Sequence, residues 1–195
     1  MNVVPLKLER RCARLSHRTL TLSLIAGLAL TGLSPVGVAN NGTSSQASRT
    51  VAVEYYPSGS IMSQTEELIT ADGQIVLDGT TMAWYDENGQ LALQRAFKNG
   101  EPIGTYASWY ANGQQELRYA FGNGQPTGGF THWYDNGQIE SQGSLQDGEY
   151  HGHWVAQHAD GNVSAAGQFN AGHEVGDWLY VLPDGEIMTT TYDAP

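Results

Sequence analysis

The run Gly104-Thr105-Tyr106-Ala107-Ser108-Trp109-Tyr110-Ala111-Asn112-Gly113-Gln114 returns twenty-four positions later as Gly128-Gly129-Phe130-Thr131-His132-Trp133-Tyr134-Asp135-Asn136-Gly137-Gln138. Glycine, aromatic and Asn-Gly positions all coincide, and the same step runs outward in both directions. Gly89, Gly113, Gly137, Gly161 and Gly185 are spaced by 24, as are Gly100, Gly124, Gly148 and Gly172, and as are Gly104, Gly128, Gly152 and Gly176. Three glycine series with one period mark a repeat protein whose unit is a single supersecondary element.

The unit reads as two strands and two turns. Asn112-Gly113 and Asn136-Gly137 stand between apolar runs, and both residue types tolerate the positive φ that tight hairpin turns demand. Beyond each turn glycine the chain alternates: Leu91, Leu93, Arg95 and Phe97 fall on one face, as do Gln115, Leu117, Tyr119 and Phe121 in the next unit. The intervening positions are mostly Gln, Glu, Ala, Ser and Arg. Period two with one apolar face predicts half-buried antiparallel strands. A second turn follows at Asn99-Gly100, Asn123-Gly124, Asp147-Gly148 and Ala171-Gly172. The next strand opens at Gly104, Gly128, Gly152 or Gly176, where the missing side chain suits a bend or a close backbone approach. Two residues on stands an aromatic: Tyr106, Phe130, Trp154 or Trp178. The expected fold is all-β, a single-layer antiparallel meander of stacked 24-residue hairpins, twisted and curved. Each hairpin advances the sheet by roughly 10 Å, so five units cover roughly 50 Å. The repeats are expected over 53–195, with a degenerate first unit at 53–79. There Tyr55-Tyr56-Pro57-Ser58-Gly59 imitates the Trp-Tyr turn, but Gly59 precedes Gly89 by 30 residues. Atypical end units are expected wherever an exposed sheet edge must not pair with other chains.

Charge divides the chain. Residues 1–39 hold five of the nine basic residues and one acid, so the remainder carries 4 − 19 = −15. Phosphate recognition depends on Lys and Arg displacing counterions, so nucleic acid and direct binding to anionic lipid are excluded as partners. The segment 1–39 has the order of a secretory signal: basic from Lys7 to Arg18, apolar from Thr19 to Leu33, then Gly37-Val38-Ala39 with small residues before a cut. About 15 apolar residues fall short of the ~20 needed to cross a bilayer. Cleavage near Ala39 and a periplasmic or extracellular location are therefore expected. Cys12, the one cysteine, leaves with the signal, so the exported chain holds no thiol for a disulfide, a metal or a nucleophile. Residues 40–52, polar and rich in Ser, Thr, Asn and Gln, read as a disordered linker.

The quoted run resembles the MORN repeat, and more closely the bacterial variant found in YwqK-type antitoxin components of toxin–antitoxin systems. The resemblance covers about Ala83 to Tyr192. It implies a twisted single sheet used as a non-catalytic protein-interaction module, with another protein or an extended peptide as partner. An exported antitoxin needs its toxin outside the cytoplasm too. The fourth and fifth units depart from the pattern, with Gln157-His158 and Val181-Leu182 in place of Trp-Tyr.

No enzyme is expected and no cofactor. The serines lie in no nucleophile elbow, and the Gly-rich pieces are hairpin turns, not phosphate loops. Adjacent acids such as Asp86-Glu87 do not converge across a cleft as acid–base pairs must. His151 and His153 would share a strand face, but spacing fixes no third ligand, so no metal is assigned. The aromatics are more informative. Trp84, Trp109 and Trp133 recur at one repeat position and form a row of roughly 20 Å across three hairpins. They point away from the face marked by Tyr106, Tyr110, Phe130 and Tyr134. Cross-strand packing explains such a row, and so does a platform for an extended peptide or a glycan. Binding is expected on the tryptophan row, with the second aromatic group as the other candidate surface. A carbohydrate- or metal-binding module of the cell envelope is the alternative function.

Overall fold

A computed structural model describes residues 46–193. The expected signal at 1–39 and the start of the linker lie outside the described residues. The elements are all strands: β1 (Ser48–Tyr55), β2 (Ile61–Ile69), β3 (Ile75–Trp84), β4 (Leu91–Lys98), β5 (Glu101–Trp109), β6 (Gln115–Gly122), β7 (Gln125–Trp133), β8 (Ile139–Gln146), β9 (Glu149–Gln157), β10 (Val163–Asn170), β11 (His173–Val181) and β12 (Ile187–Tyr192). They form one twelve-stranded sheet in sequence order, every neighbour antiparallel. The meander is the one that the repeat predicts.

The linker reading needs one correction. Residues 48–52 belong to β1, which pairs with β2 from Ser48↔Ile69 to Tyr55↔Ile61. As an edge strand, β1 buries nothing deeply and so lacks the apolar face that marks the other strands. It is tied down instead by Arg49, whose guanidinium donates to the Asp78 backbone carbonyl at 2.9 Å and pairs with the Asp78 carboxylate. Asp78 is only 1% exposed. Its other oxygen accepts from the Asn99 backbone N–H at 3.1 Å and pairs with Lys98 at 3.2 Å. The Asn99 N–H, with help from Lys98 and Arg49 and against desolvation, holds this carboxyl down to about 2.

The two turns are of different kinds. At Asn99-Gly100, Asn123-Gly124, Asp147-Gly148 and Ala171-Gly172 both residues have positive φ, from 47° at Ala171 to 85° at Gly148. These two-residue turns match the twist of a right-handed hairpin. At the Trp-Tyr end the expectation for asparagine fails. Only the glycines, Gly59, Gly89, Gly113, Gly137, Gly161 and Gly185, have positive φ there; Asn112 and Asn136 do not. The asparagine side chain is what the turn uses. Asn112 Oδ1 accepts from Gln114 N–H at 2.9 Å, and its Nδ2 donates to the Asp135 carbonyl of the next unit at 2.6 Å.

The glycines opening the odd strands are also explained by conformation. Gly104, Gly128, Gly152 and Gly176 have φ of 65–75°. A Cβ at any of them would meet nothing within 4 Å, so no close approach demands glycine. Each lies where register slips by two residues, as between Gln94↔Ala107 and Ala96↔Ile103, which is a bulge that twists the strand. Close approach occurs elsewhere, at Gly143 and Gly167. A Cβ on Gly167 would lie 2.2 Å from the Trp178 ring, and one on Gly143 3.0 Å from Phe130.

One face of the sheet is closed by its own rings. Tyr106 stacks on Tyr119 at 4.7 Å, and Phe130, Tyr150, Phe169 and Trp178 follow at 5.0–5.1 Å between centroids. Trp154 and Trp178 lie over the strands that carry Gly143 and Gly167, so large rings meet absent side chains. Phe130 is 3% exposed and Trp178 1%. Such ring pairs contribute about 0.5–1.5 kcal/mol each beyond the area they bury. This is how a single layer obtains a core without a second sheet.

Candidate functional site: the open face of the sheet

The opposite face carries no such packing. Cross-strand partners on it form a row running Ala107, Arg118, Thr131, Gln142 and Val155 through β5 to β9. Thr105, Ala120, Gly129, Ser144 and His153 lie beside this row, and Trp133 closes one end. All of these but Ala107 line an open groove of about 700 Å³. Thr105, Arg118, Gln142, Ser144 and His153 are exposed. Arg118 makes no ion pair among the described residues, and no carboxylate lines the groove. Glu116 and Glu140, two residues back from Arg118 and Gln142, are engaged outside it. Ser108 donates to Glu116 at 3.1 Å, and His132 Nδ1 lies 2.8 Å from Glu140.

The groove owes its depth to one position. Gly129 stands where the neighbouring units carry Thr105 and His153. Its φ is not positive and it pairs with Ser144. Between two walls that have side chains, the unit with none leaves a depression. The chain reading passed over this position because Gly128, its neighbour, carried the periodic signal.

The structure places the expected binding residues in three different settings. Trp84, Trp109 and Trp133 end β3, β5 and β7, each just past a register shift. All three are half-buried and join none of the ring pairs among the described residues. Two residues beyond Met82, Ala107 and Thr131, they continue the open face, and Trp133 lines the groove. Tyr106 and Phe130 are buried in the aromatic core on the other side. Tyr110 and Tyr134 leave both faces. The Tyr110 hydroxyl donates to the Trp133 carbonyl at 2.7 Å and that of Tyr134 to the Gln157 carbonyl at 2.8 Å. Tyr85 and Tyr56 do the same one and two units before Tyr110, and His158 Nε2 reaches the Val181 carbonyl at 2.8 Å. Burial pushes the Tyr134 hydroxyl up, with Glu140 and Asp160 adding to it. These four rings are therefore a core pair and a seam pair, not one ligand surface.

The residues that sequence reading missed are Thr105, Arg118, Thr131, Gln142 and Ser144, and it weighed His153 only as a metal ligand. Arg118, Gln142 and Ser144 sat among the intervening positions of the alternating strands. A signal existed in the 24-residue series Gln94, Arg118, Gln142 and Ala107, Thr131, Val155, which register alone brings side by side. His151 and His153 are separated by the bulge at Gly152: His153 lines the groove, and His151, paired with Ser144, does not. Among the described residues no three His, Cys, Asp or Glu side chains come together as a metal site would need.

None of the curated proteins compared matches the chain. A crystal structure of a protein with unknown function from Bacteroides fragilis shares 8% identity, covering 77% of this chain and 94% of that one at a TM-score of 0.23, too loose a likeness to support any inference. The MORN repeat variant matches at residues 81–99 and 126–147, which include the β3–β4 and β7–β8 connections. Both matched stretches lie within hairpins of this sheet, so over those residues the chain is similar to the MORN repeat variant.

Proposed function

We propose that this protein is a non-catalytic interaction module, exported from the cell, that holds its partner against the open face of the sheet. One observation carries the reading: one face is packed shut by its own rings, while the other keeps three unstacked tryptophans and a groove. Aromatic anchors with an open flank tend to dominate binding energy. The finer assignment, an antitoxin component that masks a toxin, draws only on the resemblance of residues 104–114 and 128–138 to YwqK-type repeats. It would use the same face, and a toxin rescued by co-expression in its own compartment would support it.

The decisive variant is Gly129→Thr, which gives the third unit the residue of the second. A Cβ there would meet only the Gly143 carbonyl, at 3.9 Å, and threonine suits a strand. Thermal unfolding should be unchanged, while retention of the envelope component held by the immobilised wild-type chain should be lost. Trp109→Ala and Trp133→Ala should weaken retention by about 2 kcal/mol each. Retention that survives Gly129→Thr and both tryptophan variants would move the site off this face.

A further inference from the structure

Resting on the reading of the open face as the binding surface, we infer that the groove takes a saccharide chain bearing a single carboxylate. The first reason is the kind of group on offer. Backbone N–H and C=O groups of β5 to β9 are spent on the ladder, so a ligand lying on the face meets side chains only. Thr105, Thr131 and Ser144 present hydroxyls, Gln142 an amide and His153 an imidazole, each a donor and an acceptor. An extended peptide brings a backbone N–H and C=O at every residue, and this face has no matching backbone edge to pair them. A saccharide brings hydroxyls around an apolar ring face, which suits these groups and the Trp133 ring.

The second reason is spacing. Successive side chains across the sheet recur at the strand separation of about 4.8 Å, against about 3.3 Å per residue in an extended peptide. A pyranose unit is longer than a peptide residue and close to the strand separation, so a sugar chain crossing the strands keeps step with the row. From β5 to β9 there are four separations, roughly 19 Å, which is room for about four sugars.

Charge supplies the third reason. In a chain carrying −15 beyond residue 39, this groove has no carboxylate, and its cation, Arg118, is exposed and unpaired among the described residues. A planar carboxylate matches the guanidinium fork. The acidic remainder of the protein repels a polyanion, so the favoured ligand carries one carboxylate among neutral sugars.

The test uses xylotetraose with and without one glucuronic acid branch, titrated calorimetrically at low ionic strength into the exported chain. The branched form should bind about tenfold more tightly than the neutral one. Arg118→Gln, a change at an exposed side chain, should reduce the branched form to neutral affinity. Gly129→Thr, with its unfolding curve checked, should abolish binding of both. Failure to bind either sugar, equal binding of both, or a preference that survives Arg118→Gln overturns the inference. If a glutamate-containing heptapeptide binds in their place and is lost with Gly129→Thr, the ligand class is wrong and the binding face stands. If partner retention ignores Gly129→Thr and the tryptophan variants, the face itself is wrong.

Discussion

Ala171 is the residue whose replacement most directly tests the turn geometry. It occupies the first central position of a two-residue turn at φ 47°, where the preceding units have Asn99 at 50°, Asn123 at 51° and Asp147 at 52°. In this left-handed region Cβ crowds the following carbonyl, at roughly 1–2 kcal/mol for an ordinary residue, and Asn and Asp lose less through local hydrogen bonding. Ala171→Asn should therefore stabilise by about 1 kcal/mol. In a domain of this size that is roughly 2–4 °C in Tm. Ala171→Gly relieves the same crowding but gives the unfolded chain more freedom, so its gain should be smaller, near zero. The reciprocal change, Asn123→Ala, should destabilise by about the amount that Ala171→Asn stabilises, because the turn is the same in both units. Calorimetric unfolding at fixed pH reads all three. A silent pair, Ala171→Asn and Asn123→Ala both within a few tenths of a kcal/mol of wild type, would refute the left-handed assignment of these turns. Stabilisation by Ala171→Gly exceeding that by Ala171→Asn would show that side-chain bulk, not backbone hand, is limiting there.

Three further outcomes follow from the packing, the seam and the buried acid. Gly167→Ala puts a methyl within 2.2 Å of Trp178 and should destabilise by about 1–3 kcal/mol, whereas Gly143→Ala, with contacts near 3.0 Å, should cost less; chemical denaturation that ranks them the other way would contradict the ring-over-glycine packing. Tyr110→Phe removes the 2.7 Å bond to the Trp133 carbonyl and should cost about 1 kcal/mol, with faster amide exchange at the adjoining turns as the local sign. Asp78, with its folded value depressed from 3.8 to about 2, contributes stability that is fully present above pH 3.8 and is lost as pH falls through 2; Asp78→Asn should flatten the acid unfolding profile in that window, and an unchanged profile would remove Asp78 from the account.

How far the sequence reaches is set by what register does. Period alone placed ten of the strands, because each unit repeats an Asn-Gly or equivalent turn at a fixed distance from an alternating apolar column. It failed at β1, whose residues Ser48–Tyr55 need no apolar face because only β2 flanks them. It misjudged Asn112, since Asn-Gly has two uses and only the Asp135 carbonyl across the next hairpin decides between them. It did not see that Gly143 and Gly167 answer to Phe130, Trp154 and Trp178. Those partners lie across a ladder that slips at every bulge, so counting along one strand cannot pair them. The groove was hidden for the same reason: Thr105, Arg118 and Gln142 look like unrelated surface residues until the four hydrogen-bonded strands β5 to β8 bring them onto one face.

The same accounting explains why the open face has groups to spare. At one end of the hairpins each unit hands a Tyr hydroxyl, or the His158 ring, to a carbonyl of the next unit. At the other end Gly148 N–H reaches back to the Pro126 carbonyl at 2.9 Å and Gly172 N–H to the Tyr150 carbonyl at 3.0 Å. Hydrogen bonds thus tie both rims, at the second rim through Gly148 and Gly172, and rings fill one face. The drift of the fourth and fifth units respects this. His158 replaces a tyrosine and keeps its bond, whereas Asp160 replaces an asparagine and has no N–H to donate, so the side-chain link to the next turn ends with Asn136 and Ala159. Where that link stops, Trp178 arrives, buried against Phe169 and donating its Nε1–H to the Gln168 carbonyl at 3.2 Å. A seam lost at the rim is offset by packing on the closed face. Variation on the open face has no such compensation to make, because among the described residues no side-chain hydrogen bond or ion pair engages Arg118 or Gln142 and Gly129 has no side chain. Residues free of structural duty are the ones on which a ligand can set the terms.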